Sequence, residues 1–456
     1  MTLGYRERGA RFARFLATYA PAFLILLLPA LFNGFPLVFS DTGTYLASAI
    51  ERALPADRPI HYSLFLYALH LGRTLWPVVA AQAALTIAVL AIFFDVTLGP
   101  LRAPRKAALL AILAAVSALP VLASEIMPDL FTALLIGSLS MLALRPAALT
   151  NAQKAFLYAV VLLAVCVHQA NFLVAAVLLS TLALARSRLQ PSLAGPALAV
   201  CAGFGLLVAP NALYHRSVSA TRGSGVFLLA RLLDNGIGLD YLDAACKTRS
   251  YSICAELPAL RAWRPDSPDS ARSDFFLWGG PLQAAGGWDE VRKYAGSVAV
   301  RCILRYPGRF ILACVRDAGR QAVSLSTGED LVPCGDESLV SITLKRHFPP
   351  TVFDEFLRSR QQSGRLDFAR VSALHICVVV LSVAILGAFA KRLCAADSRL
   401  AAILFALLAG YLVNALVMGT LSHPFHRYQN RVSWLIPLAA ITAAYRLNAE
   451  KATPAA

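Results

Sequence analysis

The chain has 456 residues and a formal net charge of +16, and 58% of its residues are hydrophobic against 15% charged. Its mean hydropathy is +0.62, and soluble domains of ordinary size cannot bury that much apolar surface. Apolar runs of about 20 residues fit membrane-spanning helices, because a helix satisfies its own backbone hydrogen bonds in lipid. The composition therefore predicts an all-α, polytopic integral membrane protein.

About ten membrane spans are predicted along the chain. Their approximate bounds are residues 18–39, 76–97, 107–123, 129–144, 155–168, 170–185, 193–213, 369–390, 400–419 and 431–446. The first span follows several arginines and no small-residue cleavage site follows it cleanly, so we expect a retained anchor rather than a cleaved signal peptide. The spans divide the chain into an N-terminal transmembrane module (1–213), an external, mostly helical segment (214–368) and a C-terminal transmembrane module (369–456).

The positive charge lies mainly on short segments between alternate spans, where the positive-inside rule places cytoplasmic loops. Both termini are therefore predicted to be cytoplasmic, while residues 40–75, 124–128, 214–368 and 420–430 face outward. This distribution favours membrane lipids and not nucleic acid as the partner of the basic residues. Arg is preferred over Lys, and Ala and Leu are abundant, which is typical of a GC-rich bacterial genome and indicates a bacterial inner membrane.

The outward segments carry most of the polar character. The loop after the first span begins FSDTGTY and is predicted to continue as two surface helices, near residues 44–53 and 62–71. The next outward turn reads SEIMPD. The apolar run 155–185 is interrupted by HQAN at 168–171, which predicts two shorter helices that meet at an outer turn. One long tilted helix is the alternative.

The segment 214–368 is richer in Pro, Gly and Ser and has balanced charge, so it is the part suited to an aqueous domain. Residues 289–325 are predicted to form two amphipathic helices on the membrane, broken at Tyr306. Cys246 and Cys254 lie in this segment, in a compartment that allows disulfides. We expect a bond between them, with two free thiols as the alternative.

Ionisable residues gather at the predicted outer helix ends, which places a candidate site at the outer membrane interface. Asp41 is the candidate catalytic base, because a carboxylate partly removed from water takes up a proton more readily. Capping the helix that begins near Thr44 is its alternative role. The candidate substrate-binding residues are Arg58, His61, Tyr62, Glu125, Asp129, His168, Asn171, Arg427 and Arg431. Glu125 and Asp129 are equally suited to form ion pairs, whereas the two last arginines share a helix face that could bind a phosphate.

Together these features resemble the GT-C superfamily of membrane glycosyltransferases, which includes the protein O-mannosyltransferases and the bacterial aminoarabinose transferase. The resemblance lies in the acidic Asp41 after the first span, the entry Pro59 to Tyr62, the acidic second outer turn, the large outer segment and the run from Arg427 to Arg431. It implies inverting transfer of a sugar from a polyprenyl-phosphate donor to a lipid, glycan or protein acceptor at the periplasmic face. Asp41 would be the base, and the arginines would bind the carrier phosphate.

No metal or other cofactor is predicted, because the first loop lacks the Asp-x-Asp of the metal-dependent members. The alternative function is a transporter or flippase of a lipid-linked saccharide or anion. Such a protein would carry polar residues deep within its spans and often paired internal repeats. The sequence shows few of the former and none of the latter.

Overall fold

The computed structural model describes residues 2–265 and 270–451, with side chains described from residue 17 to residue 449 outside that gap. Within these ranges the chain forms α-helices and no β-strand, which confirms the all-α prediction. Arg6, Arg8, Arg11 and Arg14 belong to the first helix, but their side chains lie outside the described residues. The helices are α1 Thr2–Asn33, α2 Thr42–Ile50, α3 Ile60–His70, α4 Trp76–Leu98, α5 Ala103–Ala115, α6 Leu119–Ser124, α7 Leu130–Leu144, α8 Asn151–Val167, α9 Gln169–Leu184, α10 Arg186–Leu189, α11 Ala194–His215, α12 Ser224–Asp234, α13 Ile237–Ala245, α14 Leu257–Ala262, α15 Arg272–Trp278, α16 Pro281–Ala284, α17 Gly287–Arg305, α18 Pro307–Val323, α19 Leu339–His347, α20 Pro350–Arg358, α21 Ala369–Ala396, α22 Ser398–Leu421, α23 His426–Ser433 and α24 Leu435–Lys451.

Four helices of the described chain are long and apolar enough to cross a membrane, namely α4, α11, α21 and α22. Four shorter apolar stretches add to them: Ala17–Asn33, Leu130–Leu144, Asn151–Val167 and Gln169–Leu184. Each predicted span overlaps helical residues, but ten complete spans are not confirmed. Two of the predicted spans are interrupted. Residues 107–123 break between α5 and α6, where Pro120 cannot donate a backbone hydrogen bond, and residues 431–446 break between α23 and α24.

The predicted interruptions at HQAN and at Tyr306 are confirmed. His168 has extended backbone between α8 and α9, and its Nδ1 accepts the N–H of Ala170, so the side chain caps the second helix. The alternative of one long helix is therefore wrong. Tyr306 separates α17 from α18 without a side-chain capping hydrogen bond. The two short helices predicted after the first span are also present, as α2 and α3.

Two hydrophobic cores divide the protein. The larger core, which we call the main bundle, joins apolar residues of the N-terminal helices to those of α19–α24. A smaller core, between Val226 and Ala313, belongs to α12–α18, which we call the inserted unit. The predicted external segment 214–368 thus splits, because Val340, Leu344 and Phe356 bury their apolar faces in the main bundle.

The inserted unit carries the predicted disulfide, Cys246–Cys254, which is confirmed. Its α18 packs along α22 of the main bundle. A Cβ at Gly419 would lie 2.6 Å from the backbone nitrogen of Ala318, so the two helices approach closely there. Arg231 of α12 reinforces this contact, since its guanidinium pairs with Asp317 and donates to the Gly419 carbonyl oxygen, 2.9 Å away. The inserted unit is thereby fixed against the main bundle.

The contact of α2 with α19 gives a direct test of the packing around the first loop. A Cβ at Gly43 would lie 2.6 Å from the carbonyl carbon of Leu339, which is backbone and cannot move aside alone. We expect Gly43→Ala to lower the free energy of unfolding by about 1–3 kcal/mol through overpacking. Thermal unfolding in detergent measures the effect. Gly205→Ala in α11, where nothing lies within 4 Å of the new Cβ, is the matched control, and equal loss in both variants would contradict this packing.

Candidate functional site

The position of Asp41 is set by backbone contacts on both sides of residues 34–41. The Leu37 N–H donates to the carbonyl oxygen of Ser124, and the Ile126 N–H donates to the carbonyl oxygen of Leu37, each at 2.9 Å. From the other side, the Gln361 amide donates to the Val38 oxygen at 2.6 Å and accepts the Val38 N–H at 3.1 Å. The first loop is therefore clamped between the α6–α7 turn and the residues that follow α20.

The Asp41 side chain is held by two arginines and does not cap a helix. Helix α2 begins at Thr42, and Asp41 makes no side-chain capping hydrogen bond. Its Oδ1 pairs closely with Nη2 of Arg58, and its Oδ2 lies 3.6 Å from Nη1 of Arg427. The capping alternative is therefore wrong. A first-loop carboxylate instead links a first-loop arginine to α23, near the other end of the chain.

The two arginines of α23 have different surroundings. Arg431 is fully buried. Its Nη1 lies 3.3 Å from Oδ1 of Asp129, and its Nη2 and Nε donate to the Asn414 side-chain oxygen at 2.8 and 3.2 Å. Arg427 reaches both carboxylates, because its Nε lies 3.9 Å from Oδ2 of Asp129. The guanidinium of Arg427 also lies over the Phe39 ring, 4.0 Å from its centroid. We call Asp41, Arg58, Asp129, Arg427 and Arg431 the ion-pair cluster.

Glu125 lies beside the ion-pair cluster and is buried, with 5% of its surface exposed. Burial, together with the nearby Asp129 carboxylate and against the opposing effect of Arg427, raises the pKa of its carboxyl to about 8. The carboxyl is therefore mainly protonated at neutral pH. Three other acids, Asp41, Asp57 and Asp129, lie beside the arginines of the cluster, with Oδ2 of Asp57 3.4 Å from Nε of Arg58.

The remaining predicted site residues lie around the cluster or apart from it. His168 contacts it through Nε2, which lies 3.4 Å from Nη1 of Arg431. Asn171 does not belong to the cluster: its side-chain oxygen accepts from Thr132, and its amide N–H donates to the backbone of α8. Tyr62 is buried against the ring of Tyr45 in α2, with ring centroids 5.0 Å apart, and donates to Gln82 at 2.8 Å. His61 lies apart from the cluster, near the backbone of Leu206 in α11, and its Nδ1 is buried without a hydrogen-bond partner.

A cavity of about 650 Å³ lies beside the ion-pair cluster, between the main bundle and the inserted unit. Among the predicted residues, only Asp41, Arg58 and Arg427 line it. Arg431, Glu125, Asp129 and His168 lie behind this wall, so they can position the lining residues but do not themselves line the space. The wall also contains ionisable residues that the sequence did not single out as site residues: Asp57, Arg231, Asp274, Glu329, Asp330 and His423.

Two N–H groups of arginines that line the cavity are buried without a hydrogen-bond partner. They are Nε of Arg58 and Nη1 of Arg427. A buried donor without a partner is costly, and a ligand with several oxygens would satisfy both donors. Guanidinium groups match phosphate and carboxylate oxygens in geometry and charge. This part of the cavity is thus suited to an anionic group, which would compete with Asp41 for the same two arginines.

No known protein family, curated protein or solved structure matches this chain. The class of the protein rests on the structure itself: an all-helical bundle with helices long enough to cross a membrane, and a charged cavity beside buried ion pairs. In the described parts of the chain, no three His, Cys, Asp or Glu side chains group in a way that could hold a metal ion.

The raised pKa of Glu125 predicts how stability depends on pH. The folded protein keeps this proton up to a pH of about 8, whereas the unfolded chain loses it above about 4.5. Folding therefore takes up a proton between these pH values. The contribution of Glu125 to the free energy of unfolding is at its maximum below pH 4.5 and decreases as the pH rises to 8. The free energy of unfolding changes through this group by at most about 1.4 kcal/mol per pH unit.

Glu125→Gln removes this dependence. We therefore expect the melting temperature of the variant to increase relative to that of the wild type as the pH rises from 5 to 8. Thermal unfolding in detergent at a series of pH values measures the difference. Glu355→Gln, at an exposed position on α20, is the matched control. A difference between Glu125→Gln and wild type that stays constant over this interval would contradict a protonated, buried Glu125.

Proposed function

We propose that the protein is an integral membrane glycosyltransferase of the GT-C type. It would transfer a sugar from a polyprenyl-phosphate donor to an acceptor hydroxyl at the periplasmic face of a bacterial inner membrane. The observation that supports this best is the position of Asp41, whose two carboxylate oxygens pair with Arg58 and Arg427 on the wall of one cavity. A base and two phosphate ligands are the groups that such a transfer requires.

The donor phosphate would bind to Arg58 and Arg427. Their buried N–H groups without hydrogen bonds give it two donors, and both guanidiniums keep their charge under all relevant conditions. Binding draws the arginines from Asp41 towards the phosphate oxygens, because a phosphate and a carboxylate compete for the same donors. The Asp41 carboxylate then becomes available as a base only when the donor is in place.

The proposed transfer step uses these groups as follows. The acceptor oxygen attacks the anomeric carbon from the side opposite the phosphate, and a new glycosidic C–O bond forms. The bond between the anomeric carbon and the phosphate oxygen breaks, and its electron pair leaves with the polyprenyl phosphate. Asp41 takes the proton of the acceptor hydroxyl. Arg58 and Arg427 stabilise the negative charge that grows on the leaving phosphate, and the anomeric configuration inverts.

Asp41→Asn tests the proposal most simply. Asparagine keeps the shape but cannot take the proton, so we expect transfer from a panel of polyprenyl-phosphate monosaccharides to fall by about 10²–10⁴-fold. The measurement is turnover by the purified protein in nanodiscs, with a thermal melt to show that the variant folds. Asp354→Asn is the matched control and should keep full activity, because the Asp354 side chain on α20 is 54% exposed.

Two outcomes would contradict the proposal. Asp41→Asn that folds and keeps wild-type turnover would remove Asp41 as the base. Wild type that turns over no donor, yet moves a lipid-linked saccharide across vesicles, would establish the transporter in its place.

A further inference from the structure

The cavity has a second wall to which the proposed reaction gives no role. We define this second wall by four residues: Arg231 and Asp274 with Trp278 from the inserted unit, and His423 from the connection between α22 and α23. The first wall, with Asp41 and Arg58, comes from the first loop. One cavity therefore brings two sets of groups together from distant parts of the chain.

His423 is held in a fixed orientation by Asp234. The Nδ1–H of the ring donates to Oδ2 of Asp234 at 2.7 Å. Asp234 is itself fixed, because its Oδ1 accepts the Arg272 N–H at 2.9 Å and its Oδ2 lies 3.4 Å from Nη1 of Arg231. With Nδ1 used by Asp234, Nε2 is the ring nitrogen left for a ligand, and in the neutral ring it accepts a hydrogen bond. The second wall therefore holds an oriented imidazole nitrogen.

Arg231 adds a donor to this wall. Its side chain is only 2% exposed, and its two terminal nitrogens are used by Asp234, Asp317 and the Gly419 carbonyl. Its Nε is buried without a hydrogen-bond partner, although the residue lines the cavity. A nearly fully buried guanidinium thus keeps one N–H for a hydrogen-bond acceptor.

Asp274 and Trp278 complete the wall on the face of α15. Asp274 provides a carboxylate, although burial raises its pKa to about 6. Trp278 is 56% exposed, with its ring 5.9 Å from that of Trp288. A large aromatic ring left open on a cavity offers an apolar face to a ligand. The wall thus combines hydrogen-bond acceptors, one unsatisfied donor and an aromatic surface.

We propose that this second wall binds the acceptor of the transfer, and that the acceptor is a carbohydrate. A sugar hydroxyl both donates and accepts, so one sugar ring can donate to Asp274 and His423 and accept from Arg231. Its C–H face packs on the indole of Trp278. An ammonium group only donates and would leave Nε of Arg231 unsatisfied. A Ser or Thr side chain of a protein acceptor brings one hydroxyl and no ring to cover the tryptophan. That the bound carbohydrate is the acceptor of the transfer rests on the proposed function, whereas the carbohydrate site itself does not.

Binding of free ligands to the full-length protein in nanodiscs tests this without any turnover. The probes are a panel of neutral oligosaccharides, a Ser/Thr-rich peptide and choline, each followed by saturation-transfer NMR. We expect at least one neutral oligosaccharide to bind. Trp278→Ala and Asp274→Asn should each weaken that binding at least tenfold, while Trp278→Phe keeps most of it. Trp278 is largely exposed, so its truncation leaves the core of the inserted unit intact.

Asp354→Asn is the matched control for Asp274→Asn and should bind like wild type. No binding of any oligosaccharide, or binding unchanged in Trp278→Ala, would overturn the inference, as would selective binding of the peptide or of choline. Oligosaccharide binding that depends on Trp278, in a protein that transfers no sugar, would support the carbohydrate site while removing the transferase. Transfer to the peptide alone, insensitive to Trp278→Ala, would leave the transferase and overturn the carbohydrate acceptor.

Discussion

The structure depends on the neutralisation of two arginines of α23 by carboxylates from the N-terminal half of the chain. Arg431 is fully buried against Asp129, which is 2% exposed. Removing one partner of such a pair leaves an uncompensated buried charge, which typically costs about 3–5 kcal/mol. The pair therefore fixes α23 against the start of α7. Because the α6–α7 turn also holds the first loop through Leu37, the same interaction sets where Asp41 lies.

The ion-pair cluster has a structural layer and a layer that can change partners. Arg431, Asp129 and Asn414 lie behind the cavity wall and are joined by hydrogen bonds through Oδ1 of Asp129 and the Asn414 side-chain oxygen, whereas Oδ2 of Asp129 has no hydrogen-bond partner. Asp41, Arg58 and Arg427 lie on the wall, and two of their N–H groups are left without hydrogen bonds. A ligand anion can therefore exchange with Asp41 in the outer layer while the inner layer keeps the helices in place. This separation supports the view that the cavity is a site and not only a packing defect.

The sequence was sufficient for features that depend on local pattern. Apolar runs gave the helices, HQAN gave the break at His168, and the polar helix ends gave most of the cluster, because neighbouring ends meet on one side of a bundle. Tyr62 and His61 show the limit of that reasoning. Adjacent residues on a helix point about 100° apart, so Tyr62 packs on Tyr45 of α2 while His61 lies near the backbone of α11. The sequence also predicts about ten complete spans, whereas four helices of the described chain are long and apolar enough to cross a membrane.

Long-range contacts could not be read from the sequence. Gln361 clamps Val38 from 323 residues away, and His423 reaches Asp234 across 189 residues. Neither contact has a local signal, since a buried Gln and a loop His look the same in sequence as solvated ones. The division of residues 214–368 between two cores was equally hidden, because α19 and α20 have the same amphipathic pattern whichever core they cover.

The central claim is that Asp41 competes with the donor phosphate for Arg58 and Arg427. The most direct measurement is the affinity of polyprenyl phosphate for wild type and for Asp41→Asn in nanodiscs, with Asp354→Asn as the control. Since asparagine does not compete as an anion, we expect Asp41→Asn to bind the lipid phosphate about tenfold more tightly than wild type, a gain of about 1.4 kcal/mol. Equal or weaker binding by Asp41→Asn would contradict it.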